Sequence, residues 1–305
     1  MKGDSNKAVL AALIANFGIA IAKFVGFAFT GAASMLAEAI HSCADTANQG
    51  LLFLGGALAK REATPEHPFG FGRERFFWAF VVALVIFTLG SLFAIYEGIS
   101  KLTHPHDLNS PQWAIGILIA AIALETWSFR TAIREANYIR GSQGWWAFIR
   151  TSKVPELPVV LLEDLGALIG LVLALLGIGL ALVTGDARFD AMGSIAIGVL
   201  LGVIAVVLAS ETRSLLLGEA ATPKMRAAIR AAFDQSPEIK RLIHVRTEHV
   251  GPEALMVGAK VELDGALSFP EIAAAVDAVE GRLRAAVPIA RFIYIEPDVF
   301  KPDDS

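Results

Sequence analysis

Between residues 8 and 212 the chain alternates long apolar runs with short polar breaks. The runs cover about 8–29, 34–59, 76–100, 112–134, 157–184 and 190–212. Each reaches the roughly 20 residues that a helix needs to cross a hydrocarbon core, so the pattern predicts six transmembrane segments. The breaks Thr30-Gly31-Ala32-Ala33 and Thr184-Gly185-Asp186-Ala187 are short enough to predict tight reversals between antiparallel neighbours. Beyond residue 213 the period changes. Amphipathic helices are expected over 223–233 and 270–286, and strands over 242–249, 255–263 and 291–295, with Gly251-Pro252 turning the first strand into the second. The order α-β-β-α-β predicts a small two-layer α/β domain, ferredoxin-like, with one sheet face covered by helices. The expected organisation is therefore a six-helix membrane domain over 1–213 and a cytoplasmic α/β domain over 214–305. No internal repeat or low-complexity segment interrupts it, and Pro302 to Ser305 reads as a frayed end.

Composition agrees with the membrane reading. Of the 305 residues 55% are hydrophobic and only 18% charged, against about 25% charged in ordinary soluble domains. A net charge of -4 argues against a nucleic-acid partner, which would call for a basic face. Cys43 is the only cysteine, which excludes a disulfide framework and a Cys-rich zinc module. Met1 to Lys7 is short and polar, and no clear cleavage site follows the first apolar run, which is therefore expected to remain as a helix. Basic residues gather before segment 1 (Lys2, Lys7), between segments 2 and 3 (Lys60, Arg61, Arg73, Arg75) and between segments 4 and 5 (Arg140, Arg150, Lys153). The other connections hold Lys101 and Arg188. By the positive-inside bias both termini are cytoplasmic in a multi-pass integral membrane protein. No nucleophile motif, phosphate-binding loop or dinucleotide fingerprint is present, so an enzyme is not expected.

An ionisable side chain inside a spanning helix is costly and therefore a candidate for function. Segment 2 holds the densest set: Glu38, His41 and Asp45, followed by Asn48 and Gln49. At ~100° per residue, 38, 41 and 45 fall on one stripe. Imidazole and carboxylate on one stripe suit a cation such as zinc, which accepts nitrogen and oxygen ligands at about 2.0–2.2 Å; hydrogen bonding to neighbouring helices would explain a lone histidine, but three ionisable groups on one stripe favour the cation site. Segment 5 opens with the adjacent pair Glu163 and Asp164. These point ~100° apart, so only one can face segment 2 squarely while the other meets a different partner. Lys23 in segment 1 needs an anion, and the carboxylates of segments 2 and 5 are candidates. Cys43, ~200° from His41, points away and reads as packing. Glu125 reads as a partner for Lys23, Glu97 as interfacial, and Asp190 as a complement to the dipole of its own helix. His104, His106 and Asp107 read as a solvated outer loop. His67, Arg73 and Arg75 form a cytoplasmic entry or serve orientation alone. On the first tail strand, His244 and His249 read as solvated rather than as regulatory ligands.

The run from Ser34 to Gln49, with Glu38, His41 and Asp45 inside it, resembles the signature of the cation diffusion facilitator (cation efflux) family. The loop His67-Pro68-Phe69-Gly70-Phe71-Gly72-Arg73-Glu74-Arg75 is similar to the family's loop before helix 3. The helix count and the tail order match as well, over nearly the whole chain. The resemblance implies proton-coupled antiport of a divalent transition metal out of the cytoplasm, zinc first among zinc, iron, manganese and cobalt. It implies a homodimer in the lipid bilayer, joined partly through the tail, with the metal as cargo and no resident cofactor. His41 and Asp45 carry over as ligands, and Asp164 takes the second family position on segment 5. Four residues before it stands Val160, which cannot coordinate. That departure leaves Glu163 or Glu38 as a substitute, or three ligands and water. It also motivates the alternative function, a transport-incompetent membrane scaffold that senses metal.

Overall fold

The structure, a computed structural model, describes residues 17–104 and 111–301, in two compact units. The first part of segment 1, His106, Asp107 and the last four residues lie outside the described residues. The first unit spans residues 1–57 and 77–212. Its helices are α1 (Phe17–Thr30), α2 (Ala33–Leu58), α3 (Glu74–Thr103), α4 (Pro111–Arg140), α5 (Trp145–Thr151), α6 (Glu156–Thr184) and α7 (Arg188–Leu217). Four of them, α3, α4, α6 and α7, are long and apolar enough to cross a membrane. Helix α2 is 26 residues long, but the polar stripe in its first half lowers its mean hydropathy. The described part of α1 is shorter. Both expected reversals occur, and Gly31 and Gly185 adopt the left-handed conformation (φ 63° and 72°) that a side chain would disfavour.

Helix α5 was not foreseen: seven residues carry too little periodicity to read. It buries Phe148 against Ala136 of α4 and Leu161 of α6. Helix α3 widens to π geometry over Ile86–Leu92 where it meets α7. There Gly198 lies so close to α3 that a Cβ would stand 2.9 Å from the Ser91 carbonyl oxygen. Ser194 Oγ donates to the Ala94 carbonyl oxygen at 2.8 Å. Lipid tails give helices no hydrophobic reason to associate, so small residues and such interhelical hydrogen bonds hold the contact.

The second unit comprises residues 58–76 and 213–305. Its elements are the end of α7, then α8 (Pro223–Asp234), β1 (Arg241–Gly251), β2 (Ala254–Glu262), α9 (Phe269–Ala286) and β3 (Ala290–Pro297). The sheet order is β1-β2-β3, antiparallel between β1 and β2 and parallel between β2 and β3. Burial alternates strictly along β2. Val257 and Val261 pack there with Ile229 and Phe233 of α8 and with Val279 and Leu283 of α9. The loop before α3 belongs to this unit. Arg73 pairs with Glu248, Arg75 reaches Glu253 at 3.7 Å, and Phe69 meets Phe292 edge to face at 5.1 Å between ring centroids. His244 is exposed as expected. His249 corrects the expectation of a solvated side chain: it is fully buried, because the last residues of β1 run beneath the unit's surface, and its Nδ1 lies 3.4 Å from the Gly251 carbonyl oxygen.

Two predictions concern this unit. Ser268 and Glu271 form a reciprocal capping box at the start of α9, so Ser268→Ala costs about 1 kcal/mol. Faster amide exchange across 269–286 in the detergent-solubilised protein checks it. Glu238 accepts both arms of the Arg282 guanidinium at 2.8 and 2.9 Å, which holds its carboxyl below the usual glutamate range. Its contribution is complete above the unfolded glutamate pKa and is lost as pH falls through the depressed folded value. The melting-temperature gap between wild type and Glu238→Gln therefore narrows as the pH is lowered below the ordinary glutamate pKa of about 4.3.

Candidate functional site

Helix α2 turns Glu38, His41, Asp45 and Asn48 inward, and all four are buried. Lys23 of α1 meets them from one side. Its ammonium lies 3.0 Å from Glu38 Oε2 and donates to Ser42 Oγ at 2.7 Å. Glu38 fits against α6 because residue 170 is glycine, where a Cβ would stand 2.4 Å from Glu38 Oε1. Lys23 thus takes its partner from α2. Glu125 does not fill that role as expected. It is half-buried on α4; the Lys23 charge still acts on it from a distance, but the direct ion pair goes to Glu38.

One turn further on, His41 Nδ1 and Asp45 Oδ1 stand 3.3 Å apart, but their geometry does not make a hydrogen bond. Both ring nitrogens of His41 and Asp45 Oδ1 are buried without a hydrogen-bond partner among the described residues. Buried polar atoms in that condition are rare and costly. Across the interface, Asn48 Nδ2 donates to Glu163 Oε1 at 3.0 Å, and the Asp45 and Glu163 carboxylates interact directly. Asp164 turns elsewhere and accepts from Ser128 Oγ of α4 at 3.2 Å. The adjacent acids of α6 are thus divided, Glu163 toward α2 and Asp164 toward α4. Val160 is half-buried and offers no donor atom.

Among the described residues, no three His, Cys, Asp or Glu side chains converge tightly enough to grip an ion as they stand. The donors are arranged as facing pairs, His41 with Asp45 and Asp45 with Glu163. Nitrogen and carboxylate oxygen together suit a borderline divalent cation. Cys43 is exposed, on the outside of α2, and Glu97 is half-buried.

Asp190 stands in the first turn of α7 as expected. It is also fully buried and reaches across to the start of α2. It accepts from the amides of Ala33 at 2.7 Å and Ser34 at 3.2 Å and from the Ser34 hydroxyl. Lys101 of α3 joins it at 3.3 Å. Sequence reading missed Lys101, Ser34, Ser128 and Gly170. Lys101 and Ser34 sat at segment ends, where a polar residue carries no signal, and Gly170 acquires meaning only from Glu38 opposite.

Residues 9–217 match the family profile of the cation efflux transmembrane domain. The chain belongs to the cation efflux family. Relatives extend the likeness beyond that domain. A mouse protein named proton-coupled zinc antiporter SLC30A9, mitochondrial, is 32% identical over 87% of this chain and 47% of its own length. Metal tolerance protein C4 of Arabidopsis thaliana is 28% identical over 86% of this chain and 58% of its own. Magnetosome protein MamB of Magnetospira is 22% identical over 93% and 92%. The chain spans about half the length of the first of these relatives. The cation efflux family is one of transporters rather than enzymes.

The Lys23–Glu38 pair yields a test. Removing one member of a buried ion pair leaves the other charge unbalanced, at a cost of about 3 kcal/mol or more. Lys23→Met is expected to lower the melting temperature in detergent, and Lys23→Met with Glu38→Gln to recover most of the loss.

Proposed function

We propose that this cation efflux protein exports a divalent transition metal from the cytoplasm in exchange for protons, with zinc as the preferred cargo. In this reading α1, α2, α3, α4, α6 and α7 make six crossings with both termini cytoplasmic. The membrane domain runs over 1–213, and the tail over 214–305 is a ferredoxin-like domain that joins two copies. The observation that carries the reading is the set of partnerless buried atoms on His41 and Asp45, facing the Glu163 carboxylate. Two carboxylates in contact within an apolar interior stay together only with a proton or a cation between them. Metal ligands must shed their protons to bind. One site that holds either species, but not both, couples their opposite movements. The name of the mouse relative, a proton-coupled zinc antiporter, supports both the metal and the counter-ion.

The roles follow from the contacts. His41 and Asp45 supply nitrogen and oxygen from α2. Glu163 faces them and supplies the oxygen that Val160 cannot. Asp164, at the family position, completes the set when it leaves Ser128. Glu38 stays with Lys23 and balances charge rather than binding the cargo.

Purified protein in liposomes is expected to move zinc under an imposed pH gradient. Asp45→Ala, Glu163→Ala and Asp164→Ala should each lower the rate at least about tenfold, the effect of losing ~1.4 kcal/mol. Zinc binding by folded wild type without any flux overturns the transport reading in favour of a metal-sensing scaffold.

A further inference from the structure

Glu125 has none of the roles assigned above, yet it stands near the midpoint of α4, where a carboxylate is costly. The ammonium best placed to answer it, Lys23, is bound to Glu38 instead. Among the described residues Glu125 makes no hydrogen bond or ion pair of its own. The helix turns it inward all the same. Leu118, Ala121, Glu125, Ser128, Ala132 and Ala136 follow one another every three or four residues, a single stripe of α4. Leu118 and Ala121 are sealed in the main core of the membrane unit, and Ala136 is sealed in a second cluster with Leu161 of α6. Between these apolar seals the stripe opens: Glu125 and Ala132 are half-buried and Ser128 is exposed.

The opening lies beside the cargo site. Ser128, one turn from Glu125 on the same face, donates to Asp164 at 3.2 Å. The Glu125 charge acts on Asp45, Glu163 and Asp164 without bonding to any of them. Those three carboxylates and His41 are at most 9% exposed, and both ring nitrogens of His41 lack a partner. Glu125 is therefore the rim of the set, more exposed than the four donors and felt by all three acids. An ionisable group at this depth belongs against a water-filled cavity rather than against lipid.

We propose that Glu125 is a capture residue: a carboxylate at the rim of the site that draws the divalent cargo from water, passes it to Asp164, and is not a ligand once the ion is seated. This rests on the reading of His41, Asp45, Glu163 and Asp164 as the cargo site. A fixed charge on the low-dielectric wall of a cleft raises the local concentration of the opposite charge and its rate of arrival. A rim charge acts on association and on its salt dependence, whereas a buried partner acts on dissociation.

The test reads zinc binding rather than flux. Detergent-solubilised protein is mixed with zinc in a stopped-flow instrument, and a fluorescent chelator follows the free ion; mixing loaded protein with excess chelator gives the release rate. Glu125→Gln is expected to slow association on the order of tenfold and to flatten its dependence on salt. Its release rate and the number of ions bound per chain stay at the wild-type values. Glu125→Asp recovers most of the association rate, because the charge is what acts, while Asp164→Asn speeds release. Faster release from Glu125→Gln would make Glu125 a ligand and overturn the proposal. Unchanged association would overturn it too, and so would a Glu125→Asp variant as slow as Glu125→Gln, which marks a structural role. Wild type that binds no zinc would overturn the cargo reading itself, so the two failures are told apart.

Discussion

The membrane unit is organised by the cost of charge in an apolar interior. Helix α2 carries two carboxylates and an imidazole into the core, and each must be answered where it stands. Glu38 is answered by Lys23. The amides that open the helix are answered by Asp190, which is in turn held by Lys101. These two pairs fix the height and rotation of α2 against α1, α3, α6 and α7. Between Glu38 and Asn48, His41 and Asp45 face Glu163, and among the described residues no lysine or arginine forms an ion pair with them. Glu38 and Asn48 each keep one partner, Lys23 and Glu163, whereas both nitrogens of His41 have none, and on the proposed reading that contrast makes the middle of the stripe a place for cargo.

The two kinds of pair ask for different chemistry. A lysine is a permanent countercharge that keeps its carboxylate ionised and in place, which suits a fixed support. A carboxylate facing a carboxylate has no such partner and depends on what arrives from outside. Asn48 holds Glu163 by one oxygen and leaves the rest of that carboxylate available to α2. Ser128 holds Asp164 through a single hydroxyl, a tether weaker than an ion pair. On the proposed reading, the strongly held groups make the frame and the weakly held ones make the exchange.

Much of this was legible in the sequence, for reasons that can be named. The apolar runs are local features of composition, so α2, α3, α6 and α7 were legible to within about five residues of their ends, whereas α4 runs on to Arg140 and the short α5 left no such run. The α-β-β-α-β order of the tail rests on a clean change of period, and its strands differ from expectation by one or two residues. The stripe Glu38, His41 and Asp45 is visible because helical spacing is local. Pairing is not local. Lys23 had several carboxylates within its reach in sequence terms, and only the packing of α1 against α2 selects Glu38 over Glu125. Asp190 looked like a dipole partner for its own helix alone because sequence cannot show that α7 begins beside the start of α2. His249 looked solvated for the same reason, since its burial comes from the unit around β1 rather than from its own alternation.

The departure at Val160 then has a physical reading. A coordinating side chain at position 160 would lie one turn before Asp164, on the same face of α6. In this chain that face turns toward α4, where Ser128 holds Asp164, while the face bearing Glu163 turns toward α2. Moving the ligand from 160 to 163 carries it three positions on, ~300° about the helix, which leaves it ~60° to one side of that face. The longer glutamate side chain then spans part of the gap that an aspartate would leave. A shared ligand atom between α2 and α6 needs only that some carboxylate from α6 reach Asp45, and Glu163 already does. On the proposed reading the family's site is therefore rebuilt from a neighbouring face, at a cost in geometry that Asn48, donating to that same carboxylate, helps to offset.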